Sequence, residues 1–123
     1  MAEFYVLKMK DNDNVIEGIH SFMRERDMKL AVPVMAYGKI KDFELLTLGK
    51  GRHLQKENAG SGFEVNAISG KIHTDQEGYY TNISVILSRN GVGSTHGTLK
   101  SALVDDFLEL KLRKINLSKI IEA

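Results

Sequence analysis

The apolar and polar positions of this chain fall into short alternating runs interrupted once by helical spacing. Phe4-Tyr5-Val6-Leu7-Lys8-Met9 is rich in β-formers and predicts a first strand. Asp11-Asn12-Asp13-Asn14 is a cluster of cap residues, and Asn14 with Glu17 has capping-box spacing. Val15, Ile16, Ile19, Phe22 and Met23 then recur at helical intervals, which predicts a helix over residues 14–27. Glu17, Arg24 and Glu25 lie on its solvated side, and His20 on its flank reads as a surface residue.

Beyond the helix the pattern turns to strands. Residues 30–37 and 43–48 read as two separate strands, with Pro33 marking an edge or irregular position because it lacks a ladder donor. Residues 49–62 are polar and Gly-rich without periodicity, the longest loop. Residues 63–73 form a strand with a bulge or bend at Gly70. Gln76-Glu77-Gly78 turns the chain, residues 79–87 run back, and Asn90-Gly91 is a hairpin signal. Leu99, Ala102 and Leu103 fit a helix as well as a strand, whereas Leu108-Glu109-Leu110-Lys111-Leu112-Arg113 alternates strictly and predicts a half-buried strand. The tail from Asn116 fits a short helix. Together these elements predict an α+β fold, an antiparallel or mixed β-sheet covered by one long helix.

Length and composition narrow the picture. The 123 residues are expected to form a single domain, 1–123, large enough for a real core. With 42% hydrophobic and 27% charged residues the composition is that of a soluble globular protein. The absence of Cys excludes disulfides and thiolate metal sites. The first residues are too quickly charged for a signal peptide, and no apolar run approaches the ~18 residues of a membrane span, so a cytoplasmic protein without a membrane partner is expected. A net charge of +1 argues against strong DNA binding by a monomer, because such affinity comes largely from neutralising phosphates. It leaves room for a local patch or one assembled by oligomerisation.

Motifs of catalysis are missing. There is no Gly-x-Ser-x-Gly elbow, His-Glu-x-x-His or Cys nucleophile. Ser94, Thr95 and His96 are adjacent, and neighbours in a strand or turn point differently. Asp105-Asp106 reads as a solvated turn or bulge. Gly49-Lys50-Gly51-Arg52-His53 fails both phosphate-loop patterns. Lys50, Arg52, His53 and Lys56 nevertheless form the densest basic loop, either a nucleic-acid backbone contact or a flexible solvated loop. The residues therefore predict neither an enzyme nor a bound cofactor.

One stretch carries more. Gly62-Phe63-Glu64-Val65 through Ser69-Gly70, then Tyr80-Thr81-Asn82, then Ser94-Thr95-His96-Gly97, follow one another after a strand, a capped helix and a small-residue strand ending at Gly38. That order resembles the PPC (plants and prokaryotes conserved) domain, of the stand-alone prokaryotic type without an AT-hook. The resemblance extends over nearly the whole chain, in short motifs, with Gly62, Phe63, Glu64, Ser69, Gly70 and Gly97 as the signature positions. It implies a homotrimer and a DNA-binding or regulatory role. The chain departs from the family pattern in two places. Gly62 stands where the signature segment carries Arg, and no Arg-Gly-Arg-Pro core is present. Some relatives place three His ligands at positions that here are Tyr80, Asn82 and His96; one His cannot hold zinc, so no metal is expected. His73 could replace a missing ligand only if it folded nearby. If the family register holds, Tyr80, Asn82 and His96 converge near a subunit boundary, either as a site for a small polar ligand or as a satisfied polar network. The alternatives implied are thus a DNA-binding trimer, a ligand-binding trimer and, third, a metal-dependent enzyme.

Overall fold

A computed structural model of the chain describes residues 3–48, 52–57 and 62–116. Strand β1 (Glu3–Lys10) leads through the Asp/Asn cluster into helix α1 (Val15–Glu25). Asn14 caps the helix, its Oδ1 accepting the Glu17 amide at 3.1 Å. At the other end Arg26 and Asp27 donate their amides to Met23 and Arg24, and Asp27 turns out of the helix at φ +52°. The helix is therefore 11 residues, not the long helix over 14–27 that the apolar spacing predicts, because the turn signals at both ends win. Its Val15, Ile19, Phe22 and Met23 are buried in one continuous apolar core.

The remaining strands are β2 (Leu30–Leu48), β3 (Arg52–Glu57), β4 (Phe63–Asp75), β5 (Gly78–Arg89) and β6 (Gly93–Lys114). They pair in the order β1-β6-β5-β4-β2-β3, and β2 also pairs with β6. The ladder thus closes through β2, β6, β5 and β4 into a barrel-like ring, with β1 beside β6 and β3 beside β2. Every pairing among the described residues is antiparallel, and the fold is mostly β with one short helix. Among the described residues no helix is long and apolar enough to cross a membrane.

Three expectations about the strands need correction and one left open is resolved, each for a local reason. The strands over 30–37 and 43–48 are one 19-residue strand, whose register shifts after Pro33, at Gly38 and between Lys41 and Glu44. Gly38 at φ +134° and Asp42 at φ +48° absorb the distortion without ending the ladder. The expected loop over 49–62 contains β3, paired with residues 43–48 of β2. Leu99, Ala102 and Leu103 belong to the 22-residue β6; its shifts at Lys100 and around Asp105–Asp106 insert extra residues, which turns strand alternation into apparent helical spacing. The bulge expected at Gly70 lies at Asn66, while Gly70 sits regularly opposite Ile83 at φ +122°. The hairpin at Asn90-Gly91 joins β5 to β6, with the Val92 amide donated to the Arg89 carbonyl at 3.1 Å. The helix expected in the tail after Asn116 falls outside the described residues.

Candidate functional site

Alternation along β5 decides where the sequence-derived site residues point. Ile83, Val85 and Leu87 are buried, so Tyr80, Asn82, Ser84 and Ile86 face outward. His96 of β6 lies opposite Ile86. Asn82 and Tyr80 are four and six residues further along β5, roughly 14 and 20 Å away at ~3.4 Å per residue. Within one chain the structure does not bring Tyr80, Asn82 and His96 together, because the β5–β6 turn fixes a register that separates them.

Each has other neighbours. Tyr80 stacks on His73 (centroids 5.4 Å) and donates its hydroxyl to Glu77 Oε2 at 3.2 Å. Desolvation first, and then the Glu77 carboxylate, raise its phenol above the ordinary value. His73 is thus Tyr80's partner, far from His96. Among the described residues no three His, Cys, Asp or Glu side chains gather closely enough for a metal ion. A phenol, an amide and a distant imidazole do not fit the three-histidine centre that the resemblance implies.

His96 instead borders an open groove of about 410 Å³, also lined by Ser69, Ser84, Ile86 and Thr98. Ser69, Ser84 and Thr98 are register partners on three adjacent strands, a row of hydroxyls across the sheet. Gly97, beside them, has no room for a side chain larger than hydrogen without moving Leu46 and Thr47. Of the other signature residues, Gly70 is a packing position, since a Cβ there would run into the Asn82 carbonyl. Phe63 is buried edge-on to Phe43 (5.3 Å), with the Arg89 guanidinium 5.8 Å from its ring. Gly62 abuts the Asp105 carboxylate. Glu64 is exposed opposite Lys39, and the two residues border clefts of about 330 and 300 Å³.

The basic segment changes character. Arg52, His53 and Lys56 lie on β3 rather than in a loop, and Lys50 and the side chains of β3 lie outside what the structure describes.

Two clusters escaped the sequence. The first is around His20, which is half-buried: its Nε2 lies 2.6 Å from Thr81 Oγ1 and its ring stacks on Tyr79 (5.5 Å). Burial, then the nearby Arg24 charge, lower its pKa below the ordinary value. Tyr79 and Thr81 share the inward side of β5, but only the tertiary fold brings α1 against them.

The second is the outward face of β1, β6 and β2. Leu7, Met9, Leu108, Leu110 and Leu112 point inward. The opposite positions are Phe4, Val6, Lys8 and Lys10 on β1, Phe107, Glu109, Lys111 and Arg113 on β6, and Met35 and Tyr37 on β2, in cross-strand register. Lys111 Nζ is 4.8 Å from the centroid of the Phe4 ring, and the Tyr37 and Phe107 rings are 5.3 Å apart. Phe4 is 49%, Tyr37 67% and Phe107 38% exposed, too much for core residues. Alternation in residues 4–10 and 107–113 is the signal that could have found this face.

Comparison with known proteins agrees with this architecture. A PPC protein from Pyrococcus horikoshii is 14% identical (TM-score 0.79), over 94% of this chain and 82% of that one. A metal-containing protein from Archaeoglobus fulgidus is 16% identical (TM-score 0.75), over 91% and 79%. A protein from Bacteroides thetaiotaomicron, provisionally described as DNA-binding, is 16% identical (TM-score 0.74), over 94% and 84%. At these identities the likeness establishes the fold. No curated protein matches the sequence. The profile of one family matches residues 2–115, nearly the whole length, and so the chain belongs to the Plants and Prokaryotes Conserved (PCC, also written PPC) domain family.

Proposed function

We propose that this protein is a cytoplasmic, non-enzymatic nucleic-acid-binding protein with a regulatory role, acting as a homotrimer. The observation that carries the reading is the outward face of β1, β6 and β2. It has four cations, Lys8, Lys10, Lys111 and Arg113, against Glu109 within it and Glu64, Asp105 and Asp106, which border the cleft beside Tyr37 and Phe107. The whole chain has a net charge of only +1, so four cations on one face are a local excess. A trimer repeats the patch three times, and linked sites on one polyanion raise avidity without any new contact. The provisional DNA-binding description of the Bacteroides protein supports the same class of partner.

The test is fluorescence anisotropy with short labelled DNA at rising salt, alongside light scattering for the subunit number. Log affinity should fall linearly with log salt, with a slope of about −0.7 to −0.9 for each phosphate neutralised. Lys111→Gln with Arg113→Gln should make that slope shallower by about 1 to 2. Absence of binding at low salt would refute the reading, and a monomeric mass would refute the trimer.

The groove beside His96 favours a second reading, a small polar ligand held by imidazole and hydroxyls near a subunit boundary. Its size is in the usual range for ligand clefts. That reading requires a compound that raises the melting temperature of the protein and no longer does so after His96→Ala.

A further inference from the structure

We infer that the face formed by β1, β6 and β2 takes single-stranded nucleic acid in preference to duplex, with bases stacked on Phe4, Tyr37 and Phe107. The inference rests on the nucleic-acid reading above and adds the form of the ligand and the residues that select it.

The argument begins with the three rings. They stand on a sheet whose inward positions are filled with leucines, so burial in this chain's own core is closed to them. Cations lie among them, Arg113 opposite Phe4, Lys10 opposite Phe107 and Lys111 between Val6 and Met35, while Tyr37 lies opposite Glu109. Aromatic rings interleaved with cations are what a single strand needs. Its unpaired bases expose their faces for stacking, and its phosphates lie within reach of the lysines and arginine. A duplex keeps its bases stacked internally and offers these rings only sugar and phosphate.

The spacing suits a strand of a few nucleotides. Tyr37 and Phe107 together form one shelf. Tyr37 lies across from Glu109, and Phe4 across from Arg113, so the shelf and the Phe4 ring are four residues along and two strands across from one another. At ~3.4 Å per residue and ~4.8 Å per strand this is roughly 17 Å. Lys8 and Lys111 lie between the two platforms, and Lys111 is already seated over Phe4. The span is compatible with the ~4–16-nucleotide sites of other stacking surfaces. Glu109 between the platforms, and Glu64, Asp105 and Asp106 beside the Tyr37–Phe107 shelf, oppose a phosphate backbone, which places the phosphates toward Lys8, Lys111 and Arg113.

A second copy of this chain is the rival occupant. A two-fold contact would press the same four cations against each other; the head-to-tail contact of a trimer would not, and light scattering of the variants separates that case from polyanion binding.

The experiment measures anisotropy of labelled oligo-dT and of a mixed-sequence duplex of equal length, with the subunit mass of every variant followed by light scattering. The single strand is expected to bind at least tenfold more tightly. Tyr37→Ala should weaken it about 5- to 150-fold, the equivalent of ~1–3 kcal/mol for one lost base stack. Tyr37→Phe should restore it, and Glu109→Gln should tighten it, with duplex affinity insensitive to the Tyr37 changes. Tyr37 is so exposed that its truncation leaves the core untouched. Equal affinity for both forms, or indifference to Tyr37→Ala, overturns the inference while leaving nucleic-acid binding intact. No binding of either form overturns both. A loss of subunits on Tyr37→Ala or Phe4→Ala, with oligo-dT affinity unchanged, assigns the face to subunit contact and also overturns it.

Discussion

Replacing Gly70 with Ala separates a packing role from a binding role for a signature residue, and its cost can be worked out from the geometry. Two penalties add. At φ +122° an L-residue is strained, which costs on the order of 1–3 kcal/mol. The new methyl would also collide with the Asn82 carbonyl oxygen and approach the Ile83 Cα to 3.0 Å. Ile83 and Ile72 beside it are fully buried, so β5 cannot move away freely, and overpacking of this kind costs about 1–3 kcal/mol. The total is about 4 kcal/mol, a large part of the ~5–15 kcal/mol that holds a domain together. At roughly 4 °C per kcal/mol for a chain of this size, the melting temperature should fall by about 16 °C. Gly78→Ala is the control: its φ is +142°, but nothing lies within 4 Å of the added Cβ. It incurs the strain without the collision. Urea denaturation at one protein concentration should therefore place Gly70→Ala about 2 kcal/mol below Gly78→Ala. If the two variants agree within about 0.5 kcal/mol, the collision with β5 is not what holds glycine at position 70.

The remaining predictions concern titration and capping. Because burial lowers the pKa of His20 in the fold, the unfolded chain binds the extra proton first as pH falls below about 6.5. Stability should accordingly rise with pH through the window just below that value and level off above it, and His20→Gln should flatten that rise in melts taken across it. Asp11 is lowered by the Asp106 amide (2.8 Å) and then by Lys41 (3.3 Å). Its contribution should be present above the ordinary carboxylate range and vanish as pH falls through the folded value, a dependence missing from Asp11→Asn. Asn14→Ala removes the helix cap and should cost about 1 kcal/mol in urea titration, with no effect on oligonucleotide affinity.

Local signals recovered the elements whose chemistry is local. Asn14 and Glu17 announce the start of α1, and the alternation of residues 108–113 announces half of β6. The long strands were harder because bulges alter the period. An extra residue at Lys100 makes Leu99 and Ala102 look helical, and Pro33 and Gly38 make one strand look interrupted. Ring closure between β2 and β6 is a long-range pairing with no local marker. The signature residues were legible as a set, but their roles came from contacts: Gly70 with the Asn82 carbonyl, Gly62 with the Asp105 carboxylate. Tyr80, Asn82 and His96 share a face, as alternation implies, yet the β5–β6 register separates them. His20 shows the reverse case, an unremarkable flank position made half-buried by β5.

Ring closure and the short helix also determine where function can reside. Val15 and Ile19 of α1 enter the core beside Ile83, Leu108 and Leu110, and the void left among them is only about 10 Å³, scarcely room for one water. No polar or charged side chain is buried among the described residues. That part of the interior has no room for a ligand. The candidate grooves lie on outward faces, where alternation has sorted two chemistries. Small hydroxyl residues and His96 line the face over β4, β5 and the start of β6; aromatic rings and cations line the face over β1, the end of β6 and β2. The same strand, β6, carries both, with register shifts at Lys100 and around Asp105–Asp106 between them. The inferred preference for a single strand uses this sorting: an unpaired base exposes the surface that Phe4, Tyr37 and Phe107 would meet.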